Sequence, residues 1–444
     1  MDRRQSPGRG IVAALFLLLS ALPVALPAAA QSRDSWLVAI DLWGNPVYQS
    51  LSLVRQGDSV SGALDGDPIA GSVEGDRIRF VATDRRHATY AFEGLMQGDA
   101  LAGDADFPDS NHPERRIVHR FTARKLAERP PGAPRTYAFE PTDYANEFSP
   151  HRKPVLTIWP GDAVRTSTID SGGVDREGIT RALFGNPQTG PFFIATAEPG
   201  DTLAVKILRL RPNRNYADSL DTIVERALGG AFGAAAGELG KPVRWTLDLD
   251  RGMARPEHAS GSLARFEVRM RPMLGGLAVA PGFGSAPIST GDSGRFGGNM
   301  DFNEVVEGNT VYLPVFQPGA LLYLGDAHAL QGDGETSQYA LETSMDVEFA
   351  VDVIKGRSIP VPRVESPSQL MVLGQGGSLD DAVRQATSGL VRWLQQDYGL
   401  SLSECAQVLG SSVRYDVVTL AGRNAGLAAR LDKAVLSTLE PKRP

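Results

Sequence analysis

The chain has 444 residues, of which 42% are hydrophobic and 22% charged, a composition typical of a folded protein rather than a disordered or membrane-embedded one. Its net charge is −7 and no basic cluster interrupts this acidic balance, which argues against nucleic acid and anionic membranes as partners. The 48 glycines and 30 prolines follow no repeat, and they favour a β-rich fold with many turns.

The N-terminal segment has the pattern of a secretory signal peptide. A basic head with Arg3, Arg4 and Arg9 precedes the apolar stretch IVAALFLLLSALPVAL, and small residues follow. The apolar stretch is too short for a comfortable transmembrane helix, so we expect cleavage between Ala30 and Gln31. The predicted location is periplasmic or secreted, with no membrane contact in the mature protein.

Residues 31–126 predict an accessory antiparallel β domain. Short alternating strands are separated by Gly/Asp turns every eight to twelve residues, which is typical of a small barrel or sandwich. Its histidines are not spaced as metal ligands, and we interpret them as surface or strand residues. The Pro-rich residues 127–137 predict a linker.

Residues 138–444 form the predicted main domain. Three apolar hairpins with Pro-Gly turns favour a β-sandwich or jelly-roll-like body. Residues 213–262 break this pattern, and the sequence leaves open whether they form a helix or a mobile insertion. Helical spacing over 378–400, 400–413 and 424–439 predicts a smaller α/β part at the end. The predicted fold class is therefore mainly β with a smaller α/β part.

The usual nucleophile motifs are not convincing in this sequence. GDSGR at 291–295 lies in a long glycine loop and lacks a plausible upstream His/Asp pair, which argues against Ser293 as a nucleophile. The single cysteine, Cys405, cannot form an intramolecular disulfide, and its helical context is typical of a small core residue.

Acidic residues and one histidine gather in two nearby segments. GGNMDFNE contains Asn299 and Asp301, and GDAHALQGDGE begins with Asp326 and His328, whose i, i+2 spacing places both on one face of a strand. An imidazole with carboxylates suits Zn²⁺, whereas oxygen ligands alone would suit Ca²⁺. The alternative is that Asp and Gly simply form a turn, with His328 hydrogen-bonded to a carbonyl.

The motifs over residues 140–435 resemble the acetamidase/formamidase family. The similar segments are NPQTGPFFIATAEPGDTLAVKI (186–207), PMLGGLAVAP (272–281), GGNMD (297–301) and LPVFQPGALLYLGDAHALQGDGE (313–335). The resemblance implies a jelly-roll-like body, hydrolysis of short linear amides to carboxylate and ammonia, bound zinc with calcium in some members, and a homo-oligomer.

Residue by residue, the resemblance implies a set of recurring polar positions, and their chemistry divides them into three functional groups. The implied metal ligands are Asp301, Asp326, His328 and Asp170. The implied catalytic residues are Glu335, Glu198 and Asp333, with Asn299 and Gln331 binding the substrate amide. A bound Zn²⁺ would lower the pKa of its water to about 7 and provide hydroxide for attack on the amide carbon. The alternative function is a non-catalytic exported ligand-binding protein on the same scaffold.

Overall fold

The computed structural model describes residues 33–282 and 286–439. The predicted signal peptide, residues 1–30, lies outside this range. No helix among the described residues has the length and apolar character needed to cross a membrane.

The first region is a closed eight-stranded antiparallel barrel, in which each strand pairs with the next and β1 pairs with β8. Alternate side chains along each strand point inward, because successive residues of a strand face opposite sides of the sheet. Phe80 and Phe92 stack inside at 4.7 Å between ring centroids. The strands are β1 (Arg33–Leu42), β2 (Asn45–Gln56), β3 (Ser59–Leu64), β4 (Asp67–Glu74), β5 (Arg77–Thr83), β6 (Thr89–Gln97), β7 (Ala100–Pro108) and β8 (Arg116–Lys125).

The second region contains two large sheets and a two-stranded pair. Its first strands are β9 (Thr136–Ala138), β10 (Glu147–Phe148), β11 (Leu156–Ile158), β12 (Ala163–Ser167), β13 (Gln188–Ile194), β14 (Thr202–Pro212), β15 (Tyr216–Leu220), β16 (Pro242–Asp248), β17 (Met253–Pro256), β18 (Val268–Arg269) and β19 (Met273–Ala278). The remaining strands are β20 (Ile288–Ser289), β21 (Ser293–Gly294), β22 (Gly297–Asn299), β23 (Thr310–Pro314), β24 (Leu322–His328), β25 (Glu342–Thr343), β26 (Met345–Ile354), β27 (Arg363–Glu365), β28 (Gln369–Gly376), β29 (Arg414–Thr419) and β30 (Ala425–Asp432).

The two large sheets pack face to face. One has the order β18-β17-β16-β15-β25-β24-β19-β22-β21, with β13 joining β24 and β11 joining β13. The other has the order β29-β30-β28-β27-β23-β14-β26-β12-β9. Apolar residues of both sheets form one buried core, and Phe192 meets Phe349 across it at 5.3 Å between ring centroids. The predicted fold class is confirmed.

The long C-terminal helix covers part of the second sheet. The helices are α1 (Gly233–Ala236), which lies between β15 and β16, followed near the C-terminus by α2 (Leu379–Tyr398), α3 (Leu402–Ser412) and α4 (Lys433–Leu436). Ser378 caps α2 by accepting from the Asp381 amide, as its position before the helical pattern predicts. The apolar face of α2 packs on β28 and β30, where Leu390 and Trp393 join the same buried cluster as Val372.

Two segments differ from the sequence analysis. The prediction of a helix over 424–439 is wrong for its first half, because residues 425–432 pair with β28 and β29 as a central strand. Residues 213–262 contain β15, β16 and β17 with short 3₁₀ turns and α1, so they are mostly an extension of the first sheet. The end of the predicted linker is a strand, because β9 pairs with β12.

Candidate active site

The site begins at the end of β24, in the middle of the first sheet. His328, the last residue of β24, pairs with Met273 of β19 on one side and with Glu342 of β25 on the other. Strands on both sides remove it from solvent, and its side chain is 1% exposed. Burying an ionisable group in this way is costly unless a charge or a metal compensates it.

Four buried carboxyl groups surround the His328 imidazole. Ligand atoms of Asp301, His328 and Glu335 lie within 4.8 Å of one another, and the same holds for Asp326, His328 and Glu342. His328 belongs to both groups, so the five residues form a single cluster. The structure thus brings together Asp301, Asp326, His328 and Glu335, as the sequence analysis predicts.

Gln331 sets the orientation of the imidazole. Its Nε2 donates to the backbone oxygen of Asp301 at 2.5 Å, so its Oε1 must face His328 Nδ1, at 2.9 Å. An amide oxygen only accepts, and therefore Nδ1 carries the proton. In the neutral ring, Nε2 then presents its lone pair to the cluster, which is the arrangement found for metal-bound histidines.

The free ligand atoms of the cluster fit a cation. His328 Nε2 lies 3.2 Å from Glu342 Oε1 and 3.5 Å from Asp326 Oδ1 but makes a hydrogen bond to neither. Asp301 Oδ1 and Glu342 Oε2 are also buried without a hydrogen-bond partner among the described residues. Buried polar atoms are nearly always satisfied, so three orphaned atoms in one cluster indicate a ligand such as a divalent metal ion.

Two asparagines hold the carboxylates in place. Asn299 Nδ2 donates to Asp301 Oδ2 at 2.7 Å. Asn186 Nδ2 lies within reach of both Asn299 Oδ1, at 2.6 Å, and Asp326 Oδ2, at 3.1 Å. Asn186, Asp301 and Asp326 all have positive φ, a conformation that non-glycine residues rarely adopt and that concentrates at functional sites.

Gly275 leaves the space in which the carboxylates meet. A Cβ atom at this position would lie 2.6 Å from Asp326 Oδ2 and 2.7 Å from Asp301 Oδ1. These distances are well below van der Waals contact, so any larger residue would push the two carboxylates apart. The GG pair of the PMLGG segment therefore has a direct structural role beside the cluster.

The cluster shifts the pKa values of its members. Burial, together with the Glu335 and Asp326 charges, raises the pKa of Asp301 well above its ordinary value. Burial raises the pKa of Glu335 to about 8 and also raises that of Glu342. Burial opposes the charged form of His328, but Glu342 and Asp326 outweigh it and raise the pKa of the ring. Such shifts are common at functional sites.

Three of the predicted residues lie outside the cluster. Asp170 is held by the buried Arg214, whose Nη2 donates to its Oδ2 at 2.7 Å, so its charge is already neutralised. Asp333 lies on the surface and accepts from Asn303 at 2.7 Å. The structure does not bring either residue to the imidazole.

Glu198 is placed at the other end of the sheet. Gln188 pairs with Gly325, next to the cluster, whereas Phe192 pairs with Leu322, and Glu198 follows beyond that end. Its side chain is 54% exposed and bound to Lys355 at 3.0 Å. Its position corrects the prediction of a catalytic role, because proton transfer to the substrate requires hydrogen-bond reach.

Glu342 and Asn186 are the site residues that the sequence analysis missed. Glu342 lies between Leu341 and Thr343 in a short buried segment. A single carboxylate in an otherwise uncharged segment could have pointed to it as a site residue, because Glu is rarely buried without a partner. Asn186 lies within the quoted 186–207 segment, but its contact with Asp326 depends on chain packing over 140 residues. Gln331 and Asn299 lie beside the cluster and hydrogen-bond to His328 and Asp301, while their role in binding the substrate amide stays a prediction.

Comparison with known proteins supports the resemblance. The model of the acetamidase/formamidase family matches residues 284–369. A provisionally named formamidase of Schizosaccharomyces pombe is 25% identical over 288 residues, covering 51% of this chain and 68% of its own. A formamidase of Methylophilus methylotrophus is 30% identical over 137 residues, covering 26% of this chain and 33% of its own.

A solved structure shows the same similarity to acetamidases. The acetamidase of Yersinia enterocolitica is 28% identical, with a TM-score of 0.59, and the match covers 68% of this chain and 93% of that one. The chain is therefore related to the acetamidase/formamidase family, and the predicted resemblance to these amidases of linear amides is confirmed. All five cluster residues lie within residues 284–369, the stretch matched by the family model.

Proposed function

We propose that this protein is an exported, metal-dependent hydrolase of linear amides that releases ammonia and a carboxylate. One observation carries the proposal. The segment that matches the family model supplies all five members of a buried cluster with three orphaned ligand atoms. A cluster of this kind has no evident use in packing, because apolar residues of similar volume would stabilise the core better.

His328 Nε2, Asp301 and Glu342 are the proposed metal ligands, and Asp326 completes the set. An imidazole with carboxylates favours Zn²⁺, and Ca²⁺ is the alternative if the oxygen atoms dominate. When bound, the ion supplies Lewis acidity and a water molecule of lowered pKa. Glu342 takes the place that the sequence analysis gave to Asp170, because Asp170 is committed to Arg214.

Glu335 is the proposed proton carrier. Its Oε2 accepts a hydrogen bond from Thr419 at 3.0 Å, which fixes the carboxyl group beside Asp301 and His328. Burial raises its pKa to about 8 in the metal-free cluster, so a protonated carboxyl group is accessible near neutral pH. It can give that proton to the departing nitrogen, which must leave as ammonia rather than as an amide anion.

The amide-bearing side chains orient the charged groups. Gln331 fixes the tautomer of His328, while Asn299 and Asn186 hold Asp301 and Asp326. Their hydrogen bonds keep the ligand atoms facing one another before any substrate enters. Such supporting bonds are the usual means by which proteins keep a metal site at working geometry.

Export and assembly are separate proposals. The basic and apolar pattern of residues 1–30 supports a cleaved signal peptide and a periplasmic or secreted protein. The family resemblance supports a homo-oligomer. Mass spectrometry of the protein expressed in bacteria would identify a new N-terminus at Gln31, and light scattering would give the subunit number.

Ammonia release from formamide, acetamide and propionamide, measured with and without a chelator, tests the central proposal. We expect release that stops on chelation and returns when Zn²⁺ is added. Bound metal without release from any amide would contradict amide hydrolysis. Ligand binding without metal or turnover would favour the binding-protein alternative.

A further inference from the structure

The junction between the barrel and the sandwich contains a cleft that the cluster does not explain. Its volume is about 200 Å³, and both regions contribute to its walls. Leu37, Tyr48 and Arg124 come from the barrel, and the sandwich contributes residues 150–154 together with Phe193. A cavity of this size is smaller than the 300–1,000 Å³ typical of drug-sized ligands, so its occupant must be a small molecule.

The charge of the cleft is opposite to that of the protein. The chain has 52 acidic and 45 basic residues, yet the cleft is lined by Arg124, Arg152 and Lys153 and by no Asp or Glu. Arg152 is neutralised in part by Asp143, whose Oδ2 lies 2.5 Å from Arg152 Nη2. Asp143 itself does not line the cleft. Partial burial lowers the pKa of Arg124, and none of the described carboxylates lies close enough to oppose the effect.

The Arg124 guanidinium is positioned but not neutralised. Its Cζ lies 5.4 Å from the centroid of the Phe193 ring, a cation–π arrangement that orders the group without cancelling its charge. Its planar donors remain available for a carboxylate, which matches them with two parallel hydrogen bonds. This contact joins the barrel to the sandwich, so the arrangement of Arg124 over Phe193 forms only when both regions are folded.

The remaining walls suit an apolar body with a polar end. Leu37, Phe193 and Leu321 supply apolar surface. Tyr48 and His151 lie side by side, with Tyr48 Oη 3.4 Å from His151 Nδ1, and add two hydrogen-bonding groups. Specific small-molecule sites combine an apolar lining with a few polar groups in this way.

We propose that this cleft binds a small organic monocarboxylate with an apolar substituent, held by Arg124 and Lys153. The site is separate from the metal cluster, because Leu321 and Phe193 lie toward the end of the β13–β24 pairing away from His328. The proposal does not depend on amide hydrolysis. If that activity is present, however, its carboxylate products belong to the same chemical class.

Isothermal titration of the full mature protein with benzoate tests the proposal. We expect saturable binding to the wild type, and affinity about tenfold or more lower in Arg124→Gln/Lys153→Gln, because the charge-assisted hydrogen bonds to the carboxylate are lost and each factor of ten corresponds to about 1.4 kcal/mol. Arg120→Gln is the matched control, because Arg120 lies on the same strand and pairs with Asp104 instead.

Two neutral or inorganic probes define the ligand class. Benzamide, which has the same shape without the charge, should not displace benzoate, and inorganic phosphate should bind more weakly. Equal benzoate binding to the wild type and to Arg124→Gln/Lys153→Gln would overturn the proposal. An equal loss in Arg120→Gln, or equal binding of phosphate, would also overturn it by showing only a general charge effect.

Discussion

The barrel and the sandwich bury their interiors in opposite ways. Within residues 33–125, His119 is the single buried polar or charged side chain, and it packs against the rings of Trp43 and Phe107. The sandwich buries Asp301, His328 and three more ionisable groups in one place, beside an equally apolar core. The barrel interior therefore follows the rule for stability alone. The sandwich also buries charged residues elsewhere, such as Asp170 with Arg214, but its clearest departure from the rule is the gathering of four carboxyl groups around His328, which is the proposed chemical site.

The largest effect is expected at the centre of this departure. His328→Ala removes the nitrogen shared by both ligand groups, so we expect loss of bound metal and of ammonia release. His119→Ala is the control from the barrel, and it should retain both properties. Metal content measured by mass spectrometry, with ammonia release from the same samples, checks the difference. Equal losses of metal and of ammonia release in both variants would contradict a specific role for His328.

Glu335→Gln should give the next largest effect. The amide cannot carry the transferred proton, so we expect kcat to fall by about 10²–10⁴, the usual contribution of general acid–base groups, while metal remains bound. Asp333→Asn is the matched control, because that carboxylate lies nearby in sequence but on the surface. Steady-state kinetics with acetamide give kcat for both variants. An unchanged kcat in Glu335→Gln would contradict the assigned role.

Gln331→Ala should have a smaller effect, on metal affinity. Without its hydrogen bond, His328 can rotate or change tautomer, and lost supporting bonds of this kind typically weaken metal binding about 10–100-fold. Gln317→Ala is a suitable control, since Gln317 is also buried but donates to the Pro281 carbonyl. Competition with a coloured chelator measures the affinity. A similar loss in both variants would indicate general destabilisation instead.

The smallest expected effect is the pH dependence of stability in metal-free protein. Burial raises the pKa of Glu335 from 4.5 to about 8, so the folded state favours its protonated form. This contribution is fully present below pH 4.5 and is lost as the pH rises through about 8. The Tm should therefore fall from pH 5 to pH 9, by about 1 °C for each kcal/mol lost in a protein of this size.

Two variants and added metal sharpen this result. Glu335→Gln remains neutral at every pH and should make the curve shallower, because Asp301, Glu342 and His328 still titrate, and saturating Zn²⁺ should flatten it further. Glu198→Gln should leave it unchanged, because Glu198 is exposed and lies away from the cluster. Circular dichroism melts across the pH range provide the measurement. A metal-free wild type whose Tm rises over this range would contradict the raised pKa of Glu335.

The sequence was sufficient to predict the regular parts of the fold. Period-two alternation and Gly/Asp turns predict a small antiparallel barrel or sandwich, because the strands pair in chain order; closure into a barrel is visible only in the structure. Ser378 and the helical spacing after it predict α2. Residues 425–432 were misjudged because small residues such as Ala428 and Ala429 suit a helix, and only pairing with β28 makes them a strand.

The site was predictable only where the motifs are local. Asp326, His328 and Gln331 lie within six residues, so the sequence shows them together. Glu342 reaches His328 through strand pairing, and Asn186 reaches Asp326 across 140 residues, so neither contact is visible in local spacing. Asp170 was misplaced for the same reason, because its partner Arg214 is 44 residues away.

The most direct test of the central claim is to measure metal content and ammonia release in one preparation of the mature protein. We expect about one divalent ion per chain, loss of acetamide or formamide hydrolysis when that ion is removed, and recovery when Zn²⁺ is returned. Full hydrolysis by protein shown to be free of metal would contradict metal-dependent hydrolysis.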